Sequence, residues 1–242
     1  MKEALFPVAI LAGGLATRLR PITETIPKAL IDIQGEPFIA HQLRLLSARG
    51  IQRAVICAGY LGEKIQDAVG TGSRFGLQVE FSFDGPRLLG TAGAIKKAIH
   101  LLGDYFFVLY GDSYLPCNYR EVQKAFAESG RLALMALFHN DGRWDKSNVE
   151  FREGNIFVYD KKRQTPGMHH IDYGLGVFRG TCFDSIPDDQ SSDLAALYQH
   201  LLQQGELAAC EVRERFYEIG SFWGIEELRR YVAEQHLFKE RA

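Results

Sequence analysis

Residues Leu11–Leu30 read LAGGLATRLRPITETIPKAL, and this string gathers what a triphosphate needs. Gly13 and Gly14 lack a Cβ, so the backbone there can turn sharply and approach a ligand closely. Leu11, Ala12, Gly13, Gly14 and Thr17 are the candidate phosphate contacts, through backbone N–H groups and one hydroxyl. Arg18 and Arg20 follow, Lys28 adds a third cation, and a guanidinium can grip two phosphate oxygens at once. A plain strand-to-helix turn with solvated arginines is the alternative, and glycine pairs alone do not exclude it. The complete string through Pro21 and Pro27-Lys28 favours the phosphate reading. A Walker A loop is excluded, because its Gly-Lys-Ser/Thr ending is absent. Ala16 and Leu19 stand where a dinucleotide fingerprint has its later glycines.

A second chemical group is Asp112. The apolar run Phe106–Tyr110 leads straight into Gly111-Asp112-Ser113. In open α/β sheets, ligands bind beyond the carboxyl ends of the strands, where this Asp falls. One carboxylate there can hold Mg²⁺, which takes hard oxygen ligands, although an Asp after a strand can equally cap a turn. Cys57, Cys117, Cys182 and Cys210 are widely spaced and make no C-x-x-C pair, so buried thiols are expected rather than zinc or disulfides. His169-His170 is expected at the surface or in a turn, since adjacent side chains rarely face one ion.

The elements that must position these groups alternate through the first half. Strands are predicted at Phe6–Leu11, Ala54–Ala58, Val79–Phe83 and Phe106–Tyr110, and helices at Phe38–Arg49, Glu63–Val69, Ala92–His100 and Arg120–Ser129. That order implies a mostly parallel sheet covered on both faces. From Leu132 the pattern changes to strands at Leu132–Phe138, Val149–Phe151, Ile156–Tyr159 and Leu175–Phe178, with a hairpin turn at Glu153-Gly154-Asn155. Helices at Asp193–Gln204 and Ile225–Gln235 close the chain.

No linker or repeat divides the 242 residues, so one α/β domain is expected, with 1–130 as a nucleotide-binding half and 131–242 as a second half. A formal charge of −2 gives no global bias toward nucleic acid. No apolar run suits a membrane span and no signal-peptide pattern opens the chain, so a cytoplasmic protein is expected. The composition is compatible with a homo-oligomer and does not specify one.

The opening string resembles the signature of the sugar-1-phosphate nucleotidyltransferases, LAGGxGTRLxPLTxxxPKxLxPVxGKP, and the match continues through IDIQGEPFI to residue 39. This resemblance implies a three-layer, Rossmann-like, mostly parallel sheet flanked by helices, with an antiparallel sugar-binding lid. Its implied activity is Mg²⁺-dependent transfer of a nucleotidyl group from an NTP to a sugar 1-phosphate. Ala16 replaces the family's third glycine, which costs ~1–2 kcal/mol if that residue has positive φ. Glu36 replaces the usual lysine before Pro37.

Later motifs carry the resemblance along the chain, and they imply further roles. Gly111-Asp112 is similar to the family's metal-binding L-x-G-D, and Tyr217-Glu218-Ile219-Gly220-Ser221 to its D-I-G-T string, with Glu218 as second metal carboxylate. Asp84 through Gly93 resembles the base-reading segment, so Asp84, Gly90 and Thr91 are candidate nucleotide contacts; Thr91 would also cap its helix. A carboxylate only accepts hydrogen bonds and therefore suits guanine N1 and N2, which leans the reading toward GTP. Asp160-Lys161 lies where the family has E-K-P, implying that Lys161 holds the sugar phosphate and Asp160 its hydroxyls. Asp172 and Gly174 lie where an N-A-G string meets the sugar ring. The catalytic set implied is Arg18, Lys28, Asp112 and Lys161. The segments GYLGEKIQD and LLGTAGAIKKA are most similar to heptose 1-phosphate guanylyltransferases. Two other readings stay open: a nucleotide-sugar glycosyltransferase, whose D-x-D motif is absent, and a catalytically weak regulatory homologue.

Overall fold

The computed structural model describes residues 4–240, with side chains through Gln235. In chain order the elements are β1 (Val8–Leu11), β2 (Asp32–Ile33), β3 (Glu36–Pro37), α1 (Phe38–Ala48), β4 (Arg53–Ala58), α2 (Gly62–Val69), β5 (Gln78–Phe83), α3 (Gly90–Leu102), β6 (Tyr105–Tyr110), β7 (Ser113–Tyr114), α4 (Tyr119–Ser129) and β8 (Ala133–His139). They continue with β9 (Val149–Arg152), β10 (Asn155–Tyr159), β11 (His170–Arg179), α5 (Leu194–Gln203), β12 (Leu207–Val212), β13 (Tyr217–Glu218) and α6 (Phe222–Glu240).

A nine-stranded sheet runs β10-β9-β11-β6-β1-β4-β5, with β8 paired to β11 and β12 paired to β8. The parallel core β6-β1-β4-β5 is the part expected from the apolar runs, and β1 sits in its middle. Successive residues of β1 face opposite layers: Val8 and Ile10 join the apolar cluster with α1, α2 and α4, and Ala9 joins the cluster with α3 and α5. Strands buried on both faces read as continuous apolar runs, which is why β1 and β6 carry almost no polar residue.

The antiparallel strands of the second half belong to this same sheet. β11 runs antiparallel to β6 along Leu175–Arg179, and its first residues pair with β8 and β9. β11 pairs with β8 on both sides of a register shift between Asp172 and Gly176, and this irregularity bends the strand. Glu153 at φ 50° and Gly154 at φ 80° form the expected hairpin turn between β9 and β10. β12, parallel to β8, was not among the predicted strands. The histidine pair splits: His169 is exposed, but His170 is buried in β11, contrary to its expected surface position. The cysteines are free, and burial pushes the Cys57 and Cys117 thiols up to about 12. No helix among the described residues is long and apolar enough to cross a membrane.

Candidate active site

β1 ends beside β6, and a Cβ on Gly111 would lie 2.4 Å from the Leu11 carbonyl oxygen. Glycine at that position is therefore a steric requirement of bringing Asp112 against the β1 loop. The loop itself runs into three short 3₁₀ turns, Thr17–Leu19, Ile22–Glu24 and Lys28–Leu30, rather than an α-helix. Ala16 adopts φ 49°, ψ 43°, the left-handed conformation that glycine would take without strain. The hydroxyl of buried Thr23 donates to its carbonyl at 2.8 Å and ties the turn down.

A cavity opens at the carboxyl ends of these strands. Leu11, Ala12, Gly13, Gly14, Lys28, Asp84, Gly90, Thr91 and Asp112 all line it, so most of the nucleotide candidates converge. Thr17 does not line it, and Arg18 faces a second cavity of roughly 500 Å³ next door. Tyr110 and Asp112 line both cavities, which makes β6 the wall between them. The second cavity also takes in Lys146, Asn148, Lys161, Gln164, Asp172, Gly174 and Glu218.

Two carboxylates meet at this junction. β13 pairs with β7 so that Glu218 lies opposite Ser113, and the Ile219 N–H donates to the Asp112 carbonyl at 2.9 Å. Asp112 Oδ2 accepts from Lys28 Nζ at 2.8 Å, so this cation is already paired rather than left for phosphate alone. Burial, then the charges of Asp112 and Asp145, raise the Glu218 carboxyl above its ordinary value, and Lys28 and Arg18 only partly offset this. Two oxygen-donor groups with excess negative charge suit a hard divalent cation.

The sugar-side candidates are arranged differently from expectation. Asp172 was expected to accept from sugar hydroxyls, but its side chain is 1% exposed and both oxygens are occupied. Oδ1 accepts from the Gly174 N–H at 3.0 Å, and Oδ2 from Tyr159 Oη at 3.1 Å and Lys161 Nζ at 3.2 Å. It thus positions Lys161 rather than offering free acceptors. Lys161 Nζ also donates to Tyr110 Oη at 3.2 Å and lies over that ring. Burial opposes the Lys161 charge, but Asp172 and Tyr110 outweigh it and hold the ammonium above its ordinary value. Asp160 lines neither cavity; its Oδ1 caps the turn by accepting from the Lys162 and Arg163 N–H groups, because an exposed Asp before a tight turn finds those donors first. Gly174 has φ 88° at the bend in β11, and an added Cβ would sit 3.2 Å from Ser113 Oγ.

Thr91 does not cap its own helix, whose N-terminus has no side-chain cap. Its Oγ1 instead accepts from the Leu194 N–H at 2.7 Å and donates to Asp193 Oδ1 at 3.1 Å, tying α3 to the start of α5. Gly90 is needed for more than a base: it has φ 68°, and a Cβ would meet the Ser192 carbonyl at 2.6 Å. Asp84 is 6% exposed, burial raises its carboxyl, and Oδ2 already accepts from the Leu89 N–H at 3.1 Å. Oδ1 takes no hydrogen bond from the described residues.

Tyr110, Tyr159, Asp145, Lys146, Asn148 and Gln164 were absent from the expected set. Tyr110 had a signal, since it ends the strand that presents Asp112. The others lie on a loop and strand whose meeting with β11 depends on tertiary pairing.

The family model for nucleotidyl transferases matches residues 8–151. The UTP–glucose-1-phosphate uridylyltransferase of Synechocystis sp. is 31% identical over 81% of this chain, which spans 55% of that protein. The N-acetylmuramate α-1-phosphate uridylyltransferase of Neisseria meningitidis serogroup B is 29% identical over 90% of the chain and 94% of its own length. The crystal structure of HddC from Yersinia pseudotuberculosis superposes with a TM-score of 0.79 at 24% identity, covering 94% of this chain and all of that one. It shares the fold: a mixed, mostly parallel sheet flanked by helices. With the glycine-rich loop, Asp112 and their shared cavity in place, the chain belongs to the nucleotidyl transferase family.

Proposed function

We propose that this protein joins an NTP to a sugar 1-phosphate, giving a nucleotide diphosphate-sugar and pyrophosphate. The observation that carries this reading is the junction at Tyr110 and Asp112, with a glycine-rich loop on one side and Lys161 on the other. An NTP in the first cavity places its α-phosphate at that junction, facing a sugar phosphate held beside Lys161. The attacking phosphate oxygen is already anionic at neutral pH, so no general base is needed. The chain's task is alignment and charge stabilisation. The loop N–H groups, with Arg18 reaching across from the adjoining cavity, take the growing charge of the leaving pyrophosphate. Lys161, locked by Asp172 and Tyr110, orients the nucleophile. Asp112 and Glu218 would hold Mg²⁺, which when bound neutralises phosphate charge; Lys28 keeps the Asp112 carboxylate in place.

GTP is the favoured nucleotide in this reading. Asp84 Oδ1 is the acceptor for a guanine donor, and Oδ2 keeps its bond to Leu89. The Synechocystis and Neisseria relatives are named for uridylyl transfer, so the lean toward GTP rests on Asp84 and not on family membership. Pyrophosphate release from four NTPs against a panel of sugar 1-phosphates tests the proposal. Turnover should require a divalent cation and fall below about a tenth of wild type in Asp112→Asn. No pyrophosphate with any pair would reject it, and better use of UTP, CTP or dTTP would reject the guanine assignment alone.

A further inference from the structure

Two of the cations at the junction are already matched by carboxylates: Lys28 by Asp112, and Lys161 by the buried Asp172. Lys146 is different. It lines the sugar-side cavity and has no ion-pair partner among the described residues. Its neighbour Asp145 lines the same cavity, and Asp145 Oδ1 accepts from the Lys146 backbone N–H at 2.6 Å without pairing with the Lys146 ammonium.

The loop that carries Lys146 is built rather than merely solvated. Asn140 is fully buried; its Nδ2 donates to the Asp145 carbonyl at 2.6 Å and to Ser147 Oγ at 3.2 Å, and its Oδ1 accepts from the Trp144 N–H. Ser147 Oγ accepts from the Gly142 N–H, and Gln164 Nε2 donates to the Ser147 carbonyl at 3.0 Å. On the outer side, the Arg215 guanidinium stacks 3.3 Å from the Trp144 ring centroid while Oε2 of Glu227 on α6 holds it at 2.7 Å. These ties hold the turn in one conformation. They fix the point from which a flexible lysine stem reaches inward.

Where a sugar ring would lie, the cavity presents buried Ile171, Tyr173 and Phe216 and the amides of Asn148 and Gln164, with the Asp145 carboxylate beside Lys146 on the loop. An ammonium without an ion pair in this cavity can donate to a hexose hydroxyl, but it gains more from an anion. We propose that Lys146 reads a second acid group, a carboxylate or phosphate remote from C1, and that the acceptor is an acidic sugar 1-phosphate. This rests on the transferase reading above and deepens it.

The test measures pyrophosphate release for wild type, Lys146→Gln and Lys146→Arg with four acceptors: glucose 1-phosphate, glucuronic acid 1-phosphate, glucose 1,6-bisphosphate and a hexosamine 1-phosphate bearing a 3-O-lactyl carboxylate. At least one acidic acceptor should exceed glucose 1-phosphate in kcat/KM by about tenfold or more, the range of one charge-assisted contact. Lys146→Gln should remove most of that preference, mainly through KM, and Lys146→Arg should keep it. Which acceptor wins tells carboxylate from phosphate. Glucose 1-phosphate used as well as every acidic acceptor would overturn the proposal and leave the transferase reading standing. An equal loss for all acceptors in Lys146→Gln would also overturn it, because the residue would then only shape the loop. No release with any acceptor and any NTP would overturn both readings.

Discussion

Ala16→Gly is expected to stabilise the protein. Ala16 sits at φ 49°, ψ 43°, where its Cβ crowds the following carbonyl. That conformation costs an alanine ~1–2 kcal/mol, and glycine adopts it freely. Glycine gives back about 0.4–1 kcal/mol through the greater entropy of the unfolded chain. The net gain is therefore about 0–1.6 kcal/mol, with a midpoint of ~0.8 kcal/mol that raises Tm by about 2–3 °C for a chain of this length. Urea unfolding followed by circular dichroism, with Tm from calorimetry, measures it without reference to activity. A companion variant, Thr23→Val, removes the 2.8 Å bond to the Ala16 carbonyl and should cost ~0.5–1.5 kcal/mol. Because both changes act on one turn, their effects should be non-additive. A lower Tm for Ala16→Gly would refute the argument: the turn would then depend on the methyl group's contacts at the cavity wall more than on relief of its backbone strain.

Glu218→Gln should raise Tm at pH 7 in metal-free buffer while lowering turnover. A carboxyl raised in the folded state withholds stability once it ionises, so the gain should shrink as pH falls through the raised pKa and vanish below the ordinary value of 4.5; a gain independent of pH would contradict this. Arg18→Ala should lower kcat more than it raises KM for the sugar phosphate, whereas Lys161→Ala should mainly raise that KM, and an exchange of these patterns in steady-state kinetics would reverse the assigned roles. Asp84→Asn should cut the preference for GTP over UTP by roughly tenfold to a hundredfold in kcat/KM, since it replaces an acceptor with a donor in a desolvated site. An unchanged GTP/UTP ratio would assign Asp84 to holding Leu89 alone.

The parts of this fold that could be read from the residues are those whose signal is local. β1 and β6 are buried on both faces, so they appear as unbroken apolar runs, and the strained turn at Ala16 follows from one missing glycine in a fixed string. β7 and β13 are two residues each, too short to show any period, yet their pairing is what brings Glu218 to Asp112. The start of α6 lies at Phe222, three residues before the predicted one. Ser221 Oγ accepts from the Gly224 N–H at 3.0 Å, a serine cap that accounts for the earlier start. Asp172 shows a deeper limit. A string such as Ile-Asp-Tyr-Gly reads as exposed, and nothing local tells that Tyr159 and Lys161 arrive from the β10 side to bury and occupy its carboxylate. Residue types give the charges of a site, but only the fold says which are already matched. Here Lys28 and Lys161 are paired, whereas Arg18, Lys146 and Glu218 have no ion pair among the described residues. With Asp145, which lines the same cavity and also lacks an ion pair among the described residues, the unmatched set is two cations and two acids, which an anionic substrate and a divalent cation together would complete.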